Sequence, residues 1–149
     1  MAETKFFCGG KTMTIENVGY IDETIGTILD KEFEQYAEKN GVNCNYEEFL
    51  FLAKEGDEVL GVITGKAYYK EVHVQDLIVI EKYRKQHIGM KLLAKVEEYA
   101  REKNVEQINL TTYAFQAPEF YKKYGFQVEF IRENKGEPKL NKIFLVKYL

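Results

Sequence analysis

Cysteine and histidine are both scarce in this chain, with two of each among 149 residues. Cys8 and Cys44 form no C-x-x-C pair, which argues against a disulfide framework or a zinc site built on spaced cysteines. The expectation is two thiols in a reducing cytoplasm. Neither thiol has a base beside it in sequence, so a covalent acyl-cysteine route is not expected. With His73 and His87 as the only histidines, no metal site is expected either. Long apolar runs are missing too. The longest, FLFLA at 49–53, is five residues, far short of the roughly 20 that a membrane-spanning helix needs. The first residues, MAETKFFCGGK, lack the basic start and apolar stretch of a secretory signal. Repeats, low-complexity tracts and linkers are absent, and no basic-aromatic motif points to nucleic acid. The expectation is therefore one cytoplasmic domain over 1–149, with neither membrane nor nucleic acid as partner.

What is present fits that domain. Hydrophobic residues make up 45% and charged ones 30%, the balance of a chain that buries a core. The net charge of −3 is unevenly spread. Residues 1–60 hold 13 acidic and 5 basic side chains, a balance of −8, and residues 61–149 hold 11 and 16, a balance of +5. Such asymmetry arises from ordinary solvated surfaces. It also suits an anionic ligand on the second half and a cationic one facing the first.

The hydrophobic pattern alternates between two periods. KTMTIENV (11–18) reads as a first strand. A helical stripe of Ile21, Ile25, Ile28, Leu29, Phe33 and Tyr36 follows and stops at Asn40-Gly41. Residues 43–48 fit either a short helix or a loop. EEFLFLAK and EVLGVITGKAYYK flank EGD, the mark of a hairpin. EVHVQDLIVI (71–80) is a fourth strand, antiparallel to the third. Ile88, Leu92, Leu93, Val96, Tyr99 and Ala100 then repeat at helical spacing, and EQINLTTY is a fifth strand. APEFYKKYGF reads as a two-turn helix with Pro118 in its first turn and Gly125 past its end. FQVEFI and NKIFLVKYL close the chain as strands. The class is α+β, mostly antiparallel, with one β-α-β unit in the middle.

That unit contains the most informative stretch. YRKQHIGMKLL joins the fourth strand to a helix through a basic turn with one glycine. The first N–H groups of a helix lack intrahelical partners and sit at the positive end of its dipole. Arg84 and Lys85 add attraction, and Gly89 permits close approach, as in phosphate sites. Many exposed turns are basic without binding anything, so the local chemistry leaves both readings open.

The turn resembles the acyl-CoA pyrophosphate loop of the GNAT superfamily of N-acetyltransferases, Q/R-x-x-G-x-G/A. Arg84 takes the first position and Gly89 the last, while His87 stands where a glycine is usual. Downstream, Ala117, Phe120, Tyr121, Gly125 and Phe126 resemble the A-x-x-F-Y-x-x-x-G-F helix of that family, with Ala114 replacing a frequent asparagine. The resemblance covers about residues 48–149. It implies a three-layer fold with a mixed, mostly antiparallel sheet of about seven strands, a central splay and helices on both faces. It also implies acetyl-CoA as acyl donor, with no metal. The pantetheine arm would run along Leu77, Ile78 and Val79. The pyrophosphate would rest on Arg84, Lys85, Gln86, His87, Ile88, Gly89 and Met90, and Thr112, Ala117, Phe120 and Tyr121 would complete the cofactor site.

Two catalytic roles follow from the same resemblance. Tyr121 is the expected general acid, since a phenol can protonate the departing thiolate; the alternative is an aromatic that only packs. His73 is the expected base, because an unperturbed histidine titrates near pH 6.5; the alternative is a solvent-facing strand residue. Strict alternation puts His73, Gln75, Leu77 and Val79 on one face and Asp76 on the other. Glu47 is a further candidate base. Lys122 and Lys123 could reach an outer phosphate or merely be solvated. The expected reaction is direct acetyl transfer to a primary amine of a small molecule or peptide, a cationic one if the acidic first half contributes. A homodimer stays open. The rival readings are a non-catalytic acyl-CoA sensor and a generic nucleotide-phosphate binder.

Overall fold

A computed structural model of the protein describes residues 4–149, which fall into two compact units divided after Asn43. In the first unit, β1 (Thr4–Cys8) pairs antiparallel with β2 (Lys11–Ile15) through a two-residue turn. Gly9 and Gly10 occupy it at φ +57° and +76°, a conformation that only glycine adopts without strain. The segment 11–18 therefore pairs within its own hairpin. Helix α1 (Glu23–Lys39) follows. The Asp22 carboxylate caps it by accepting from the Ile25 N–H at 2.9 Å, and Gly41 at φ +66° ends it.

The second unit holds a six-stranded sheet where the pattern suggested about seven strands. It comprises β3 (Glu47–Glu55), β4 (Glu58–Tyr68), β5 (Glu71–Val79), β6 (Gln107–Tyr113), β7 (Gln127–Arg132) and β8 (Lys142–Tyr148), in the order β3-β4-β5-β6-β8-β7. Residues 43–46 are irregular, which settles the choice left open there. Helix α2 (Ile88–Glu102) connects β5 to β6, and α3 (Pro118–Lys123) connects β6 to β7. The helical stripe of α2 is its core face: Ile88, Leu92, Leu93, Val96 and Ala100 are buried against Ile63, Val72, Ile108 and Leu145. Tyr121 and Phe126 join the same core. Burial of such side chains is worth about 1.5–3 kcal/mol each and dominates the stability of the unit.

Two features of β5 shape the rest. Its partnership with β6, the one parallel pair among the described residues, covers only Glu71–His73 against Gln107–Asn109. Past His73 the two strands part, and one edge of β5 is left open. Its register with β4 also shifts, since Thr64 faces Asp76 while Gly65 faces Val74, so Gln75 is the extra residue of a β-bulge. A bulge reverses the alternation beyond it. Val72 and Val74 face the core with Ala67 and Gly65, whereas beyond the bulge Leu77 and Val79 do so with Ile63 and Gly61. His73 and Asp76 consequently share the opposite face. The expected face-sharing of His73 with Leu77 and Val79 is wrong, as is the separation of Asp76 from His73.

Candidate active site

The splay between β5 and β6 opens a cleft of about 1050 Å³. One end is the start of α2. Lys85 (φ 63°) and His87 (φ 60°) both adopt the left-handed conformation ahead of it. Each costs about 1 kcal/mol or more in a residue other than glycine. His87 therefore performs the turn that glycine makes without strain. The first intrahelical bond of α2 runs from the Lys91 N–H to the His87 carbonyl at 3.1 Å. The N–H groups of Ile88, Gly89 and Met90 thus have no partner within the helix. Arg84 folds back, its Nε donating to the Val79 carbonyl at 3.0 Å, which ties the loop to the strand it leaves. Tyr83 is held in turn by a hydroxyl bond to Glu58, which also pairs with Lys82 at 2.8 Å.

The other wall comes from β6 and α3. Pro118 at the first helical position and Gly125 at φ +101° bound α3 as its sequence suggested. Phe120 leans on Gly89: a Cβ there would lie 3.0 Å from the Phe120 Cζ, so glycine is what lets this ring meet the loop. Tyr121 is 9% exposed, edge-on to Phe120 and Phe126 at 5.2 and 5.9 Å between ring centres. Burial pushes its phenol above the usual tyrosine range, so the hydroxyl keeps its proton at neutral pH. At its far end α3 is anchored by Lys147, which donates to the Tyr124 carbonyl at 3.2 Å and pairs with Glu97 of α2 at 2.6 Å. Gln116 braces the β6–α3 turn, its Oε1 accepting from the Tyr113 N–H at 2.9 Å and the buried Thr112 hydroxyl at 3.1 Å.

Most residues singled out in the sequence meet here. Leu77, Ile78, Val79, Arg84, Lys85, His87, Ile88, Gly89, Met90, Thr112, Ala117, Phe120 and Tyr121 line the cleft, while Gln86 does not. His73 also lies outside the lining, at the last β5–β6 rung, where its Nδ1 meets Asn109 Oδ1 at 2.7 Å. Glu47 is engaged by Lys103 at the opposite end of α2 and does not face the cleft. Lys122 pairs with Glu119 at 2.8 Å, and neither Lys122 nor Lys123 lines the cleft. No motif pointed to Gln75, Tyr83, Thr111, Phe115 or Gln116, and strict alternation put Asp76 on the face away from His73, yet all six line it. Asp76 Oδ2 accepts from the Thr64 hydroxyl at 2.9 Å. Among the described residues no group of three or more histidine, cysteine or acidic side chains could hold a metal.

Free amides and basic side chains at one end, an open strand edge along the floor and a protonated phenol within suit an extended ligand with an anionic head. Comparison with known proteins agrees. Residues 20–126 match the acetyltransferase (GNAT) family. An aminoalkylphosphonate N-acetyltransferase of Salmonella typhimurium is 28% identical over 140 residues, 87% of this chain and 91% of that protein. The crystal structure of an acetyltransferase from Bacillus cereus superimposes with a TM-score of 0.72 at 28% identity, covering 90% of this chain and 98% of that one. At 22% identity, a GNAT family acetyltransferase from Elizabethkingia anophelis with acetyl-CoA bound shares the fold, with a TM-score of 0.60 over 90% of this chain and 95% of that one.

Proposed function

The chain belongs to the GNAT family of acetyltransferases, and from that premise we propose that it moves an acetyl group from acetyl-CoA directly to the primary amine of a small molecule. The carrying observation is the convergence, in one cleft, of the α2 N-terminus, the open edge of β5 and the Tyr121 hydroxyl. The residues fit the donor. The amides of Ile88, Gly89 and Met90, with Arg84 and Lys85, would hold its pyrophosphate. Leu77, Ile78 and Val79 would line its arm, with Ala117 small enough to leave room. When bound, acetyl-CoA supplies an acyl thioester.

Within this reading Tyr121 holds a proton at its hydroxyl and delivers it where a thiolate develops. The acceptor must lose a proton from its ammonium. His73 serves as base through Nε2, because Nδ1 donates to Asn109 Oδ1. Asp76, on the same face and inside the cleft, is the nearer carboxylate for attracting the ammonium. Positioning supplies the remaining advantage. The Salmonella relative is named for an aminoalkylphosphonate acceptor, which supports a small amine over a protein lysine. A cationic acceptor has less support: in the second unit Glu47 and Glu58 are neutralised by Lys103 and Lys82.

The test is amine-dependent release of free CoA thiol from acetyl-CoA over a panel of small amines, amino acids, aminophosphonates, polyamines and peptides. Acetyl-CoA binding without turnover on any of them would favour the non-catalytic sensor reading.

A further inference from the structure

On the face of the sheet opposite α2, Arg132 of β7 stands directly across from Lys142 of β8, whose other neighbour is Tyr113 of β6. Like charges placed opposite one another in a sheet repel, and among the described residues no anion relieves them. Neither side chain enters an ion pair with a described residue, although Glu133 is adjacent in sequence and Glu129 lies on the same strand. Both cations instead gather at the Phe144 ring: Arg132 Cζ lies 5.3 Å and Lys142 Nζ 5.8 Å from its centre, with Lys142 Nζ also 5.9 Å from the Tyr113 ring.

Neither cation lines the cleft itself, but both are joined to its lining through one aromatic neighbour. Phe144 is the cross-strand partner of Thr111, and Tyr113 stacks on Phe115 at 5.9 Å; Thr111 and Phe115 both line the cleft. The β7–β8 loop is fastened at that point, its Lys139 and Asn141 carbonyls accepting from the Phe115 and Ala114 N–H groups at 3.1 and 2.9 Å. The face is also that of His73 and Asp76, since His73 pairs with Asn109 and Asn109, Thr111 and Tyr113 alternate with core-facing neighbours. It therefore presents negative charge at β5 and unneutralised positive charge at β7–β8.

Resting on the transferase reading, we propose that Arg132 and Lys142 form an anion subsite for the acceptor. They hold a carboxylate or phosphonate while the amine of the same molecule lies toward Asp76 and His73, so the acceptor is a small zwitterionic amine. Arginine and lysine together suit an oxyanion group, and Phe144 keeps both extended toward it.

The experiment compares 2-aminoethylphosphonate, β-alanine, propylamine and spermidine at saturating acetyl-CoA, with wild type and the Arg132→Gln/Lys142→Gln double variant. Arg132 is exposed and Lys142 half-buried, and retention of the acetyl-CoA KM verifies an intact donor site. In wild type, at least one anionic amine is expected to exceed propylamine in kcat/KM by roughly 10- to 100-fold, the range of charge-assisted hydrogen bonds. In the double variant that ratio collapses toward one. The better of the two anionic amines identifies phosphonate or carboxylate as the group held. Equal use of the amines by wild type, a preference for spermidine, or an unchanged ratio in the variant overturns the subsite. Transfer to none of the four with turnover on another amine of the wider panel overturns the subsite, and no turnover on any amine overturns the transferase reading instead. The subsite then stands if 2-aminoethylphosphonate raises the melting temperature of wild type and not of the variant, and falls otherwise.

Discussion

Tyr121 combines a buried ring with a hydroxyl that reaches the cleft, so packing and chemistry can be separated by removing one atom. Tyr121→Phe keeps the ring contacts with Phe120 and Phe126, and acetyl-CoA binding should survive. Its kcat should fall by about 10²–10⁴, the span of general acid–base catalysis, measured as thiol release under donor saturation. Nearly full activity would return Tyr121 to a packing role. Burial also raises its folded pKa above the ordinary value of 10.0. That contribution to stability is full below pH 10 and is lost as pH rises through the folded value, because the unfolded phenol ionises first. The phenylalanine variant should therefore lose stability less steeply above pH 10 in alkaline denaturation. For the base, His73→Ala should shift or abolish the acidic limb of the kcat/KM–pH profile and recover rate at high pH. If that limb stays in His73→Ala and moves in Asp76→Asn, the carboxylate is the base.

Among elements, β5 and the strand beside it decide where those groups point. Gly65 faces Val74 beside the bulge, and a Cβ there would run into the His73 carbonyl and come within 2.5 Å of Phe49 Cζ. Gly65→Ala must push apart the β4–β5 pairing or displace a core ring, an overpacking that costs about 1–3 kcal/mol or more. Urea denaturation should show at least that loss, with reduced turnover because Asp76 and His73 shift. An unchanged midpoint would mean that the bulge tolerates a side chain. The bulge also marks the limit of what the sequence revealed. HVQDLIVI puts two polar residues in succession at Gln75-Asp76, but such a break in alternation is equally common at a strand end, and the bulge itself is fixed by pairing with Thr64 and Gly65. Helix α2, by contrast, was legible from its apolar spacing, and α3 from Pro118 and Gly125. The β1–β2 hairpin had a readable signal in Gly9-Gly10, but the apolar run around it was too weak to separate two strands. Phe115 and Gln116 line the cleft only because the β6–α3 turn folds them there, and no motif pointed to them.

At the scale of the whole molecule, a ligand that binds only the folded protein stabilises it by linkage. At 100 times its Kd, acetyl-CoA should add about 2.7 kcal/mol, a rise of roughly 5–11 °C in melting temperature for a chain of this size. The α2 N-terminus is tested with two substitutions at Gly89, because one alone confounds shape with charge. Gly89→Ala introduces the Cβ that meets Phe120 at 3.0 Å, and Phe120 can give by a few tenths of an ångström. Gly89→Asp adds a carboxylate to the same contact, beside amides that would otherwise face the pyrophosphate. Like charges in a partly enclosed site repel far more strongly than in water. Gly89→Ala should therefore keep much of the acetyl-CoA shift, and Gly89→Asp should lose nearly all of it. The difference between them should narrow as salt screens the charge. Equal shifts in both variants would move the anionic head of the donor away from this loop. Equal loss in both would mean that the Phe120 contact, not the amides, governs donor binding.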